Sequence, residues 1–362
     1  MHPAAELVEH FKTLKAAGRG EDARTMLEAA FSMALMEQSG RPVACKIRPA
    51  AELPRPLASP AHALAQIGQK FLLLWFRDEV DQTPAMSLRM FGLYGRLLGA
   101  AAAKLPDGET REIVANFSDG CETEGEYRRI SFSCSRPDSI LIPDHLFTNS
   151  NGYADLRRQV AAEALPWRER EDMIFWRGAA NGRPLSQPET ERWSWHQRLH
   201  LCRWAQKSPF AARADVGIPD HDSVTIEQVK PAIEAAGFIR PAVPKEAFLR
   251  YRYLADVDGW SNAWGLLEKL LMGATVMKVG SAFGYRQWYY DRLQPWVHYA
   301  PVAFDLSDLD AVMAHLSANP DEAERIAAQG RAFAESLDVE RELAEAQKRI
   351  EAALIRAEVS TE

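Results

Sequence analysis

Tyr251-Arg-Tyr-Leu-Ala-Asp-Val-Asp-Gly-Trp-Ser-Asn-Ala-Trp-Gly-Leu-Leu-Glu-Lys-Leu-Leu-Met-Gly-Ala-Thr-Val-Met-Lys-Val279 reads as strand, turn, helix and strand. Residues 251–257 are β-type, and Asp258-Gly259 makes a turn. Ser261 or Asn262 can cap a helix running through Met272, and Gly273 closes it. Residues 275–279 are β-type again. A strand followed by a helix and another strand implies a βαβ unit with its strands parallel.

The same scheme extends outward. Met173-Ile-Phe-Trp176 runs straight into Arg177-Gly178, a helix is expected at about 193–206, and Ala214-Asp-Val216 is strand-like. Two helices are expected after Ser307, the second opening with Pro320 at its first position. Upstream, 113–117, 130–134 and 140–142 are short β-type runs. Residues 3–39 carry apolar side chains at helical spacing (Leu7, Phe11, Leu14, Met26, Phe31, Leu35), broken at Gly18 and Gly20, which predicts a helical hairpin. A Pro-rich link covers 42–60, residues 61–104 read as helix, and the tail after Asp338 reads as one charged helix. The fold class is α/β, divided as 1–60 (helical hairpin and linker), 61–170, 171–338 and 339–362 (helix and tail).

The chain has 362 residues, 47% apolar and 26% charged, which suits a soluble two-domain protein. Its longest notable apolar run, 71–76, is far below the roughly 20 residues of a membrane span. A net charge of −7 argues against general nucleic-acid binding. No basic stretch leads into an apolar core at the start, so a signal peptide is not expected. Cys45, Cys121, Cys134 and Cys202 are scattered, as reduced intracellular thiols are. A cytoplasmic location follows; the N-terminal helices either shape the entrance of a binding site or dock peripherally to the inner membrane face, and their composition does not choose.

Ligands of open α/β sheets bind beyond the carboxyl ends of strands. Three segments are expected there: 116–120, 175–182 and 258–265. Gly178 and Gly259 either cradle a phosphate near a helix N-terminus or only permit tight turns. Asp119, in a Ser-Asp-Gly turn, is either a catalytic carboxylate or a turn residue. Asp256-Val-Asp258 has the spacing of metal-dependent sugar transferases. The chain turns at Asp258, however, so Asp256 reads as structural and no metal is expected. The aromatic stretch 285–299 reads as packing between domains or as a wall for a nucleotide or sugar, with Arg286 or Arg292 as anion partner.

In these segments the chain resembles glycosyltransferase family 90, the capsule-associated and Rumi-like protein O-glucosyltransferase group. The resemblance is carried by Asn116-Phe-Ser-Asp119, Phe175-Trp-Arg-Gly178, Tyr253-Leu-Ala-Asp-Val-Asp-Gly259, Leu270-Leu-Met-Gly273, Asp305-Leu-Ser-Asp-Leu309, and most specifically Trp288-Tyr-Tyr-Asp-Arg-Leu-Gln-Pro-Trp-Val-His-Tyr-Ala-Pro301. It covers about residues 110–335 and is nearest to bacterial lipopolysaccharide or capsule members.

The resemblance implies a GT-B architecture: two Rossmann-like domains facing across a cleft, with 61–170 on the acceptor side and 171–338 holding a UDP-sugar. It implies transfer of glucose or xylose with inversion to a glycan or glycolipid hydroxyl. The UDP-sugar is a co-substrate, and no cofactor is needed. Asp119 falls on the base. Donor contacts fall on Arg177, Gly178, Ala179, Asp258, Gly259, Trp260, Ser261, Asn262, Ala263, Trp264 and Gly265. A helix arginine is also expected, Arg198 (fallback Arg192), and Tyr153 is a looser match. Gly265 stands where animal members carry a phosphate-binding arginine, and Ala179 where they carry serine. Lys269, Arg286 and Arg183 are the candidate replacement cations. A degenerate sugar-nucleotide-binding protein and a protein O-glycosyltransferase are the alternatives.

Overall fold

The computed structural model describes residues 3–39, 43–57, 59, 62–77, 91–118, 120, 129–137, 139–183, 196–220 and 230–356. The chain divides into two compact units, Met1–Asn149 with Val339–Glu362, and Ser150–Asp338.

In the first unit, α1 (Pro3–Ala16) and α2 (Gly20–Ser39) form the expected hairpin. Phe11, Leu27, Phe31 and Leu35 are fully buried at helical spacing. There follow β1 (Ala44–Arg48), β2 (His62–Gly68), β3 (Phe71–Phe76), α3 (Phe91–Ala103), β4 (Thr110–Asn116), β5 (Arg129–Ser131), β6 (Ile140–Leu141) and α4 (His145–Asn149). The strand order is β1-β3-β2-β4-β5-β6. β2 runs antiparallel to both neighbours, while the other pairs on this path are parallel. This corrects the first part of the helix expected over 61–104: residues 62–76 are a hairpin of two strands, while 91–103 are helical, as α3. Periodicity could not decide over 71–76, which is apolar throughout and leaves no polar face of either period.

The second unit contains α5 (Ala154–Glu163), β7 (Glu171–Arg177), α6 (Gln197–Lys207), β8 (Ala214–Pro219), α7 (Lys230–Ala235), β9 (Ile239–Arg240), β10 (Tyr251–Asp256), α8 (Leu266–Leu271), β11 (Thr275–Val279), β12 (Ala300–Val302), α9 (Leu309–Ala318) and α10 (Pro320–Glu335). Its sheet has the order β12-β11-β10-β7-β8-β9. Every pair is parallel. Counted within the unit this is 6-5-4-1-2-3, the doubly wound order of dinucleotide-binding folds. The chain then returns to the first unit as α11 (Val339–Ala353), which packs on α3, and β13 (Ile355–Arg356), which pairs antiparallel with β4.

The boundaries therefore differ from the sequence expectation. Residues 1–60 are no separate element, since β1 pairs with β3 at the sheet edge. Residues 339–362 rejoin the first unit. The break falls at 149/150 rather than 170/171, because α5 is tied into the second unit. The Arg157 guanidinium donates to the carbonyls of Ala334 at 2.9 Å and Leu337 at 3.2 Å.

Gly330 of α10 permits a close approach: a Cβ there would lie 2.4 Å from the His298 carbonyl oxygen. The aromatic stretch packs inside the second unit, with His298 and Tyr289 both against Phe333. Cys45, Cys134 and Cys202 are free and buried, and Cys121 lies outside the described residues. No helix among the described residues is long and apolar enough to cross a membrane.

Candidate nucleotide site at the switch point of the second sheet

The chain leaves β7 toward β8 and β9, then returns to β10 and continues the other way through β11 and β12. The crevice beyond the carboxyl ends of β7 and β10 is thus the topological switch point, where ligands of such sheets bind. Residues 178–183 leave β7 there, and 257–265 leave β10.

Both glycines sit at close approaches. A Cβ on Gly178 would sit 2.5 Å from the Trp176 ring. One on Gly259 would sit 2.7 Å from Arg198 Nη2 and 2.7 Å from Asn181 Oδ1. The reason the two turns crowd together is Arg198, from the first turn of α6. Its Nε donates to the Asp258 carbonyl at 3.1 Å. Its Nη1 donates to the Ala179 carbonyl at 3.0 Å and to Asn181 Oδ1 at 2.5 Å. Its Nη2 lies 3.4 Å from the Val257 carbonyl. Burial pushes this guanidinium down to about 10, against the pull of Asp258 and Asp256, so it stays charged at neutral pH. Arg198 was expected as a phosphate partner. The structure makes it first of all the brace between the two turns.

Asp258 accepts the Ala263 amide on Oδ1 at 2.9 Å, and burial holds its carboxyl above the usual range. This bond closes residues 258–263 into a loop, which corrects the expected helix start. α8 begins at Leu266 with Gly265 as N-cap, not at Ser261 or Asn262. Ser261 Oγ and Asn262 Oδ1 are buried and accept no hydrogen bond from a described residue. Asp256 is fully buried and structural, as expected. It pairs with Lys269 at 2.8 Å and stands 3.8 Å from Lys278, whose ammonium lies over the Tyr290 ring. Among the described residues no three His, Cys, Asp or Glu side chains come together as metal ligands.

A cavity of about 390 Å³ opens at this edge. Of the residues expected in the site, Arg177, Gly178, Arg198, Ala263, Trp264, Gly265 and Lys269 line it. Ala179 and Asp258 serve it through the carbonyls that hold Arg198. Arg177 lines the cavity, but its guanidinium is turned to Asp215 at 2.6 Å and the Pro241 carbonyl at 3.1 Å, so its charge is already matched. Tyr153, Gly259, Trp260, Ser261, Asn262 and Arg286 are not in the lining. Tyr153 is buried before α5 with φ 60, and Arg286 faces Asp291 at 3.3 Å. Arg183 lies over the Phe283 ring. Trp260 is 47% exposed. Asp119 and Arg192 lie outside the described residues. On either side of Asp119, Asn116 Oδ1 accepts the Ser118 amide at 3.1 Å, and Ser118 Oγ donates to the Gly120 carbonyl at 2.6 Å.

Sequence reasoning missed Pro219, Val243, Lys245, Phe248 and Glu268, which also line the cavity. They come from the end of β8, from the segment before β10 and from α8. Only the strand order brings them together, and none lies in a motif. Lys245 and Glu268 form an ion pair in the cavity wall. His196, preceding α6, is pushed down to about 3 by burial beside Arg198 and His200 and is neutral at ordinary pH.

The second unit is thus a doubly wound α/β unit with a glycine-bearing crevice and a part-buried arginine at its switch point. The chain belongs to glycosyl transferase family 90, whose model matches residues 139–342. Protein O-glucosyltransferase 1 of Rattus norvegicus is 36% identical over 84 residues, 23% of this chain and 21% of that protein. Uncharacterized protein 027R of Frog virus 3 is 30% identical over 189 residues, 47% of this chain and 18% of that protein. The matches thus span about a fifth of these relatives' own lengths. Among solved structures, Anabaena HepE in complex with UDP-glucose is similar at 12% identity and TM-score 0.34, over 56% of this chain and 52% of that one. WaaG, a glycosyltransferase involved in lipopolysaccharide biosynthesis, is similar at 14% identity and TM-score 0.34, over 56% and 51%. Superpositions at that level do not define a fold; the strand order does.

Proposed function

We propose that this chain moves a sugar, glucose or xylose, from a UDP-sugar to a hydroxyl of a glycan or glycolipid acceptor, with inversion and without a metal. The two units are read as the two halves of a GT-B transferase working at the inner face of the membrane. The observation that carries this reading is the cavity at the switch point, with Arg198 tying its two glycine turns together, in a chain of this family. Its volume falls in the range of small-molecule sites, about 300–1,000 Å³.

In this reading the apolar part of the cavity, Val243, Phe248 and Pro219, takes the nucleobase. The diphosphate lies toward Gly178, Gly265 and Arg198. Lys269 supplies the cation that Gly265 lacks. The point where a side chain at 265 would begin is 3.7 Å from Lys269 Nζ, and Lys278 stands ready on the other oxygen of Asp256. Asp119 takes the proton from the acceptor hydroxyl as its oxygen bonds to the anomeric carbon. The bond from that carbon to the diphosphate breaks on the opposite face, and UDP leaves with the electron pair. A positioned base contributes roughly 10²–10⁴-fold. The remainder rests on alignment and on cations facing the departing diphosphate.

The test is UDP release from a panel of UDP-sugars with glycan, glycolipid and peptide acceptors, with and without chelator. The reading expects turnover with UDP-glucose or UDP-xylose on a saccharide acceptor, unchanged by chelator. Turnover only on peptides would favour the protein O-glucosyltransferase activity named for the rat relative. UDP binding without turnover on any acceptor would favour a degenerate sugar-nucleotide-binding protein. Activity lost to chelator and restored by manganese would reinstate a metal at Asp256 and Asp258.

A further inference from the structure

The first turn of α6 directs two consecutive side chains, Gln197 buried and Arg198 part-buried, at the carboxyl edge of the second sheet. Arg198 takes the carbonyls that follow β7 and β10. Gln197, only 4% exposed, donates both hydrogens of its carboxamide nitrogen to main-chain carbonyls, Gly280 at 2.7 Å and Phe304 at 2.7 Å. Gly280 is the first residue after β11, and Phe304 follows β12 by two residues. The Gly280 amide in turn donates to the Val302 carbonyl at 2.8 Å, so these two strand exits hang together from one side chain. A primary amide has two N–H donors, and both are used here.

We propose that Gln197 is a positioning residue. It fixes the exits of β11 and β12 to the same helical turn that carries Arg198, so four strand exits keep one spacing around the site. Its functional consequence rests on the transferase reading above, while the clamp itself does not. Neither a leucine nor an ionised glutamate at 197 can donate to the two carbonyls, and glutamate keeps the shape of the native side chain. Removing the donors leaves both carbonyls unpaired and lets residues 280–285 and 303–308 open locally, without loosening the turns that Arg198 holds.

The experiment is hydrogen exchange by mass spectrometry on the full chain, comparing wild type with Gln197→Leu and Gln197→Glu. Leu316→Ala, which removes a fully buried side chain of α9, is the control for general destabilisation. The proposal expects exchange in 280–285 and 303–308 to rise about tenfold or more while 178–183 and 257–265 stay within about threefold. It expects the control, at an equal loss of melting temperature, to raise exchange broadly without singling out those loops. Exchange in the two loops equal to wild type, or raised no more than in the control, would overturn the clamp. On the substrate the panel identifies, turnover should fall about tenfold while the Kd for UDP holds within about threefold, as expected for lost alignment. Loosened loops with unchanged turnover would overturn the positioning role. A wild-type chain that turns over no UDP-sugar would count against the transferase reading, and the exchange comparison would still decide the clamp.

Discussion

Asp119→Asn should lower sugar transfer by about 10²–10⁴-fold and leave UDP affinity within about threefold. The side chain keeps its size and loses the ability to take a proton, so only the step that needs a base is affected. Asp119 belongs to the first unit, whereas the cavity assigned to the nucleotide is built wholly from the second. Binding and chemistry should therefore separate. Single-turnover transfer rates beside calorimetric UDP affinity make the comparison. Turnover that survives within a few-fold would remove Asp119 from the base role.

Arg198→Ala should act in the opposite way, on binding first. The substitution strands the carbonyls of Ala179, Asp258 and Val257 and the Asn181 amide oxygen, which the guanidinium now satisfies. A buried acceptor left without its donor costs about 1–3 kcal/mol, more where the donor was charged. The turns after β7 and β10 should part, with UDP affinity falling about 100-fold and the melting temperature dropping by several degrees, about the effect of losing two such bonds. Arg198→Lys should recover little, because one ammonium cannot span acceptors on both turns. Calorimetry giving unchanged UDP affinity in a folded Arg198→Ala protein would show that the brace and the site are unconnected.

Much of the second unit was legible in its sequence. The strand–turn–helix–strand order of 251–279 could be read because β-type runs alternate with glycine turns, and β10, α8 and β11 follow it. The start of α8 was misplaced because Ser261 and Asn262 look like caps, while the Asp258 carboxylate takes the Ala263 amide and holds that stretch as a loop. In the first unit, 71–76 is apolar throughout, so it carries no period to separate strand from helix.

The site was legible where it lies in motifs and silent where it does not. Gly178, Arg198 and the 263–265 segment line one cavity. Val243, Phe248 and Lys245 could not be found, because only the 6-5-4-1-2-3 strand order brings them to β7 and β10. Arg177 and Arg198 were both read as donor contacts, since a sequence gives a charge and not its direction. One is matched by Asp215, and the other is committed to main-chain carbonyls. Arg286, similarly chosen for its charge, faces Asp291 away from the cavity lining.

Sugar transfer by the proposed route requires UDP to occupy the switch-point cavity of the second unit. A crystal structure of the chain with UDP tests it most directly. The uracil ring should lie beside Val243 and Phe248, with the diphosphate between Gly178 and Gly265 and within reach of Lys269. UDP bound elsewhere, with that cavity filled only by solvent, would contradict it.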